Sequence, residues 1–217
     1  MNKRALANLT LSVLLVIGLA GLTFVGYRQL LNARGAATLS SNIGRVHQLR
    51  MGLLNYEDTF TIPVTSPLTA PDISWRVKIL PFIEERSLFE QYAFDKAWDS
   101  VENQSLFHAC PRFFARDKRG QFSEMLMVTP TSSSNFANAP PPEPWWILVD
   151  SEIFKVIWTQ PTDVSEAELI AGLQRAINEK TIHRNDKVVV LRFASGQQIK
   201  AISVQELLVD LQANLPP

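Results

Sequence analysis

His108 and Cys110 stand two residues apart, and His183 is a third group that could join them. A thiol beside an imidazole is the minimum for a cysteine nucleophile, and one Cys with two His is a partial set of ligands for a soft metal. The pattern stops there. One H-x-C pair with a distant His has no metal-site spacing, so the expectation for Cys110 is a half-buried structural thiol next to Pro111. Asp95, Asp99 and Asn103 are spaced by four and would share one face of a helix, making them candidate calcium ligands. Calcium loops alternate oxygen ligands more tightly around a glycine, so a solvated face with Asp99 or Ser100 as a helix cap competes with that reading. Five tryptophans complete the inventory. Neighbours on a strand point to opposite faces, so one of Trp145 and Trp146 is expected at the surface, where it could bind a glycan or peptide. No G-x-S-x-G, H-E-x-x-H, C-x-x-C or phosphate-cradling glycine loop occurs. The chain reads as a non-enzyme without cofactor.

The elements that must position these residues begin with an uncharged run from Ala5 to Tyr27, bounded by Lys3-Arg4 and Arg28. As a helix it would measure about 34 Å, enough for a hydrocarbon core of about 30 Å. Leu9, Leu11, Val13, Leu14, Leu15, Val16, Ile17, Leu19, Leu22, Phe24 and Val25 supply the apolar surface. Together they favour insertion by roughly 3–7 kcal/mol, less the cost of the few polar residues among them. The run is longer than the core of a cleaved signal and lacks the amphipathic pattern of a transit peptide, so a retained signal-anchor over residues 1–28 is expected. Leu39, Ile43, Val46, Leu49, Leu53 and Tyr56 then follow at helical spacing, with Asn42, Arg45 and Gln48 turned away. This marks residues 29–57 as an amphipathic stalk, with a weak point at Gly35, able to pack laterally through Leu39, Ile43, Val46 and Leu53.

Residues 58–217 form the expected globular head. Residues 1–56 hold six cations and no carboxylate, so 15 cations face 21 carboxylates in the remainder, a net charge of about −6. Such a head is a poor partner for nucleic acid. A single cysteine rules out an internal disulfide. Proline-rich loops are expected at 58–72 and 129–144, with a helical segment kinked at Pro81 over 74–92. Strands are expected at 146–149 and 153–158, with a hairpin from Val188 to Ile202 turning at Ser195-Gly196. Ser165-x-x-Glu168 and Ser203-x-x-Glu206 are capping boxes that open two helices. The sum is an α+β fold in which a long N-terminal helix packs on a small, largely antiparallel sheet with flanking helices.

One block is distinctive. Ser74-Trp75-Arg76-Val77, the apolar Ile79-Leu80, then Pro81-Phe82-Ile83-Glu84 and Tyr92 lead to Trp98-Asp99-Ser100 and Asn103. It closely resembles the signature of a bacterial pilin-like family known as domain of unknown function 1559. Cys110-Pro111, the segment Ile157–Asp163 and Leu191–Gly196 resemble later family features. The resemblance implies a pilin-like fold, with Trp75, Arg76, Pro81, Glu84, Tyr92, Trp98 and Asp99 as packing residues. It also implies a single-pass protein of the inner membrane, N-terminus in the cytoplasm and head in the periplasm or outside. Its expected partners are the lipid bilayer and other pilin-like or secretion-system subunits. Asn8 and Val13 stand where the family's N-terminal signature carries Gly and Glu, a departure that argues against a major fibre subunit.

Overall fold

The computed structural model describes residues 3–65, 73–116, 120–130, 143–192 and 198–213, with side chains from Val16 onward in the first segment. The fold is mixed α and β, with a long N-terminal helix and a five-stranded, mostly antiparallel sheet. Helix α1 spans Lys3–Phe60 and passes Gly35 without a break. One glycine costs a helix only about 1 kcal/mol relative to alanine, too little to stop one this long.

Two compact units divide the chain, Met1–Ser41 and Asn42–Pro217. In the first, Val16, Ile17, Leu19, Leu22, Phe24 and Val25 are 53–72 % exposed. Leu9, Leu11, Val13, Leu14 and Leu15 lie outside the described side chains. Among the described residues no helix is long and apolar enough to cross a membrane. In the second unit Val46, Leu49, Leu53 and Tyr56 are buried. Lateral packing through Val46 and Leu53 is therefore corrected, because these side chains already belong to the core of their own unit. Asn42 and Arg45 do not face away either. Asn42 Oδ1 accepts a hydrogen bond from Arg116 at 3.0 Å, and Arg45 donates to Glu124 at 2.6 Å and to the Phe113 carbonyl at 3.1 Å.

The strands are β1 Met125–Thr129, β2 Trp145–Leu148, β3 Val164–Ser165, β4 Lys187–Arg192 and β5 Gln198–Ser203, in the order β3-β1-β2-β4-β5. Only β1 and β3 run parallel. Helices α2 (Trp75–Ile79), α3 (Arg86–Gln91) and α4 (Val101–Gln104) precede β1, while α5 (Ser151–Phe154), α6 (Glu166–Asn178) and α7 (Val204–Ala213) follow β2. Leu126, Val128, Trp145, Ile147, Val188 and Val190 form one core with Leu169, Leu173, Leu207 and Leu211 of α6 and α7. The alternate strand positions, Met125, Trp146, Val189 and Leu191, are buried on the opposite face. There Trp146 meets Trp75 edge-on, with ring centroids 6.1 Å apart.

This two-sided burial corrects the surface reading of Trp145 and Trp146, which are 4 % and 5 % exposed. The two side chains do point to opposite faces; both faces are covered. The expected strand at 153–158 is also absent. Asp150 accepts the Glu152 N–H and starts α5, and Lys155 in the left-handed region (φ 45°) ends it. Strand β1, whose run Met-Leu-Met-Val shows no alternation, takes its place in the sheet. The segment from Ser74 to Tyr92 breaks into α2, a 3-10 turn over Leu80–Phe82, and α3. Pro81, which has no N–H to give a helix interior, sits in that turn. Both capping boxes form: Ser165 and Glu168 exchange hydrogen bonds at the start of α6, and Ser203 and Glu206 do so at α7. The β4–β5 hairpin is present, although its turn at Ser195-Gly196 falls outside the described residues. The expected loop at 58–72 starts later than the sequence suggests, because α1 continues to Phe60, and residues 66–72 and 131–142 of the two proline-rich loops fall outside the described residues as well.

Candidate functional site

Arg76 is the hub of the signature block. Ser74 caps α2 by accepting the Arg76 N–H, and the short helix directs the Arg76 side chain beneath the sheet, where it is 0 % exposed. Its guanidinium donates to both carboxylate oxygens of Asp163, at 2.7 and 2.6 Å. Its Nε donates to Ser123 Oγ at 3.0 Å, and its Nη2 to the Met125 carbonyl at 2.6 Å. Asp163 also accepts from Trp75 Nε1 at 3.1 Å and from the Met127 N–H. The Trp75 ring lies 4.6 Å from the guanidinium carbon, a cation–π contact. A buried ion pair is tolerable only when its remaining donors and acceptors are satisfied, and here the sheet edge and an indole satisfy them. The sequence marks Asp163 only as the end of the family-like segment Ile157–Asp163, with no link to Arg76. The signal was available, because an arginine inside an apolar Trp-Arg-Val run must find a carboxylate if it is buried.

Trp98 and Asn103 organise the next turn. Asn103 Oδ1 accepts the Ala93 N–H at 2.9 Å, while Nδ2 donates to the carbonyls of Ala93 and Ala97 at 3.1 and 2.9 Å. Ser100 caps α4 by accepting the Asn103 N–H. Trp98, half-buried, stacks on Phe107 with centroids 5.9 Å apart. Asp95 and Asp99 are exposed in turns ahead of α4. The shared helical face for Asp95, Asp99 and Asn103 is thereby corrected: there is no common helix, and the Asn103 oxygen is already used. No group of three or more His, Cys, Asp or Glu able to hold a metal occurs among the described residues. Tyr92 is 4 % exposed against Phe94, and burial, reinforced by Asp99, pushes its phenol up to about 12. Glu84 is exposed, with φ 65°; this left-handed turn lets the Ile83 and Glu85 N–H groups both donate to the Leu80 carbonyl.

Cys110 is 4 % exposed, and its thiol reaches the Pro111 carbonyl. Burial pushes its pKa from 9.0 up to about 12, partly opposed by Arg76 and Arg45. Almost no thiolate is present at neutral pH, which is the reverse of what a nucleophile requires. His108 and His183 are both exposed. The raised pKa has a consequence for stability. In the unfolded chain the thiol ionises near pH 9, whereas in the fold it stays neutral, so its contribution is intact below about pH 9 and is lost as pH rises towards 12. Tyr92 acts in the same direction from its ordinary value of 10.0. Denaturation midpoints measured from pH 7 to 11 are expected to fall above about pH 9, and Cys110→Ala should flatten the onset. A maleimide at pH 7.5 should label Cys110 only after unfolding.

The second unit also carries an open groove of about 540 Å³ between the C-terminal half of α1, the Leu80–Phe82 turn and the segment after Pro111. Arg45, His47, Met51, Phe82, Ile83 and Arg112 line it, and Glu84 is the carboxylate among its lining residues. No sequence signal marked it, because its walls come from three separate segments.

A family model described as "Protein of unknown function (DUF1559)" matches residues 32–144, just over half of the chain. The matched stretch holds the whole Trp75–Asn103 block but stops short of Asp163, the partner of Arg76. No curated protein and no solved structure matches the chain.

Proposed function

Because the chain belongs to the DUF1559 family, we propose that it is a membrane-anchored, non-enzymatic, pilin-like protein of the cell envelope. In this reading α1 anchors the chain and the second unit is a structural or interacting head held outside the inner membrane. The observation that carries the reading is the single helix Lys3–Phe60, whose two halves have opposite surfaces. From Val16 to Val25 its large apolar side chains stand exposed, whereas Val46, Leu49, Leu53 and Tyr56 are buried. Exposed leucine, isoleucine and phenylalanine along successive turns are the kind of surface that marks an interaction with an apolar partner or a membrane. The sequence extends this surface back to Ala5 without a charge, and a bilayer is the surrounding that such a run suits. The Arg76–Asp163 cluster supports a structural role for the signature, since its side chains are buried and their hydrogen bonds are made to groups within the head.

Detergent phase partition tests the anchor. The full chain from native membranes is expected to enter the detergent phase and to resist high-salt washing, with its head cleaved by protease added from the periplasmic side. Release by salt, or recovery in the aqueous phase, would overturn the anchored reading. The tryptophan-based ligand reading is not retained, because Trp145 and Trp146 are buried.

A further inference from the structure

The apolar surface of α1 does not stop at the first charge after the uncharged run. Tyr27, Leu30 and Leu31 are 60, 48 and 45 % exposed, so apolar side chains continue past Arg28 and stand between it and Arg34. Both arginines are exposed. Neither has a carboxylate within a helical turn, because residues 1–56 contain no Asp or Glu. The Arg28 guanidinium instead lies 5.3 Å from the centroid of the Phe24 ring. That contact turns the charge back along the last turn of the apolar run.

Helix geometry sets the depth of these groups. With residues 5–27 in the hydrocarbon core, Arg28 stands at its edge and Arg34 about 9 Å beyond. The headgroup layer on each side is about 5–8 Å deep. Helical side chains lean towards the N-terminus, which returns the Arg34 guanidinium to that layer. Six residues also separate the two by about 120° around the axis, so they make a collar and not one pocket. Tyr27 stands at the level where bilayer-facing tyrosines collect. A zwitterionic headgroup brings its own cation to its phosphate, whereas an anionic one leaves that phosphate for the guanidinium fork.

We propose that Arg28 and Arg34 form a collar that gathers anionic phospholipids around the anchor, each guanidinium holding a lipid phosphate. The inference rests on the anchored reading of α1 and adds the class of lipid beside it.

The test uses the full chain carrying Val25→Cys, labelled with a bimane fluorophore. Cys110 is buried and does not compete for the reagent. Val25 lies one turn inside Arg28 and is 53 % exposed, so its label reports which lipids stand beside the collar. The purified chain is reconstituted into vesicles of one fixed composition, a minority of phosphatidylglycerol in phosphatidylcholine, with bromine on one lipid or on the other. Per molecule, the anionic lipid is expected to associate about fivefold more strongly, a ratio corresponding to about 1 kcal/mol. Arg28→Gln with Arg34→Gln should bring the ratio to about one, and salt at about 1 M, where the Debye length is about 3 Å, should lower it. Equal quenching by the two lipids with both arginines present overturns the proposal with the anchor intact, and leaves the arginines to an acidic protein partner. A preference that survives both glutamines overturns it too, since Lys3 and Arg4 would then carry it. A label quenched by neither lipid sinks the anchored reading, and this proposal with it. Both glutamines replace exposed side chains, so the head should keep its circular dichroism.

Discussion

Arg76→Met is expected to destabilise the head by about 3–5 kcal/mol, the cost of leaving a buried carboxylate without its counter-charge. Asp163 would keep the Trp75 indole and the Met127 N–H, which solvate one oxygen but do not neutralise the group. Ser123 and the Met125 carbonyl would also lose a donor. Single domains are stable by only about 5–15 kcal/mol, so this is a large fraction of the total. For a chain of this size the melting temperature should drop by roughly 6–20 °C. The double variant Arg76→Met with Asp163→Leu is the informative partner. It removes both charges, and replacing a buried pair by apolar groups is often close to neutral. Urea titration should therefore recover most of the loss in the double variant. If Arg76→Met alone costs less than about 1 kcal/mol, the cluster does not hold the head together.

The second large effect concerns α1. Val16→Arg with Leu19→Arg is expected to move the full chain from the detergent phase to the aqueous phase. Each arginine near the centre of a span costs about 2.5–3.5 kcal/mol, so the pair opposes insertion by about 5–7 kcal/mol, against roughly 3–7 in favour. Both side chains are more than half exposed, so the charges meet no packed core. The head should keep its urea midpoint, because the buried stripe begins at Val46, well beyond the substitutions. A double variant that still partitions into detergent would mean that residues 5–27 do not form the anchor.

What the sequence determined by itself is the set of features written in short-range spacing. The α1 helix, the two Ser-x-x-Glu boxes and the β4–β5 hairpin each depend on residues within one or two turns of each other, and all of them form. The family signature was legible for the same reason: it is a contiguous block, Trp75 to Asn103, inside the matched region. Strand β1 was not legible, because Met125–Val128 is apolar at every position and a strand buried on both faces has no period to detect. Only the tertiary structure decided what the signature residues do. Arg76 reaches Asp163 across 87 positions, and Trp145 and Trp146 are both buried because helices α6 and α7 close one face while Trp75 meets the other. The groove, too, has walls from three separated segments. Burial and charge pairing are properties of which surfaces meet, and local spacing carries no information about a partner so far away in the chain.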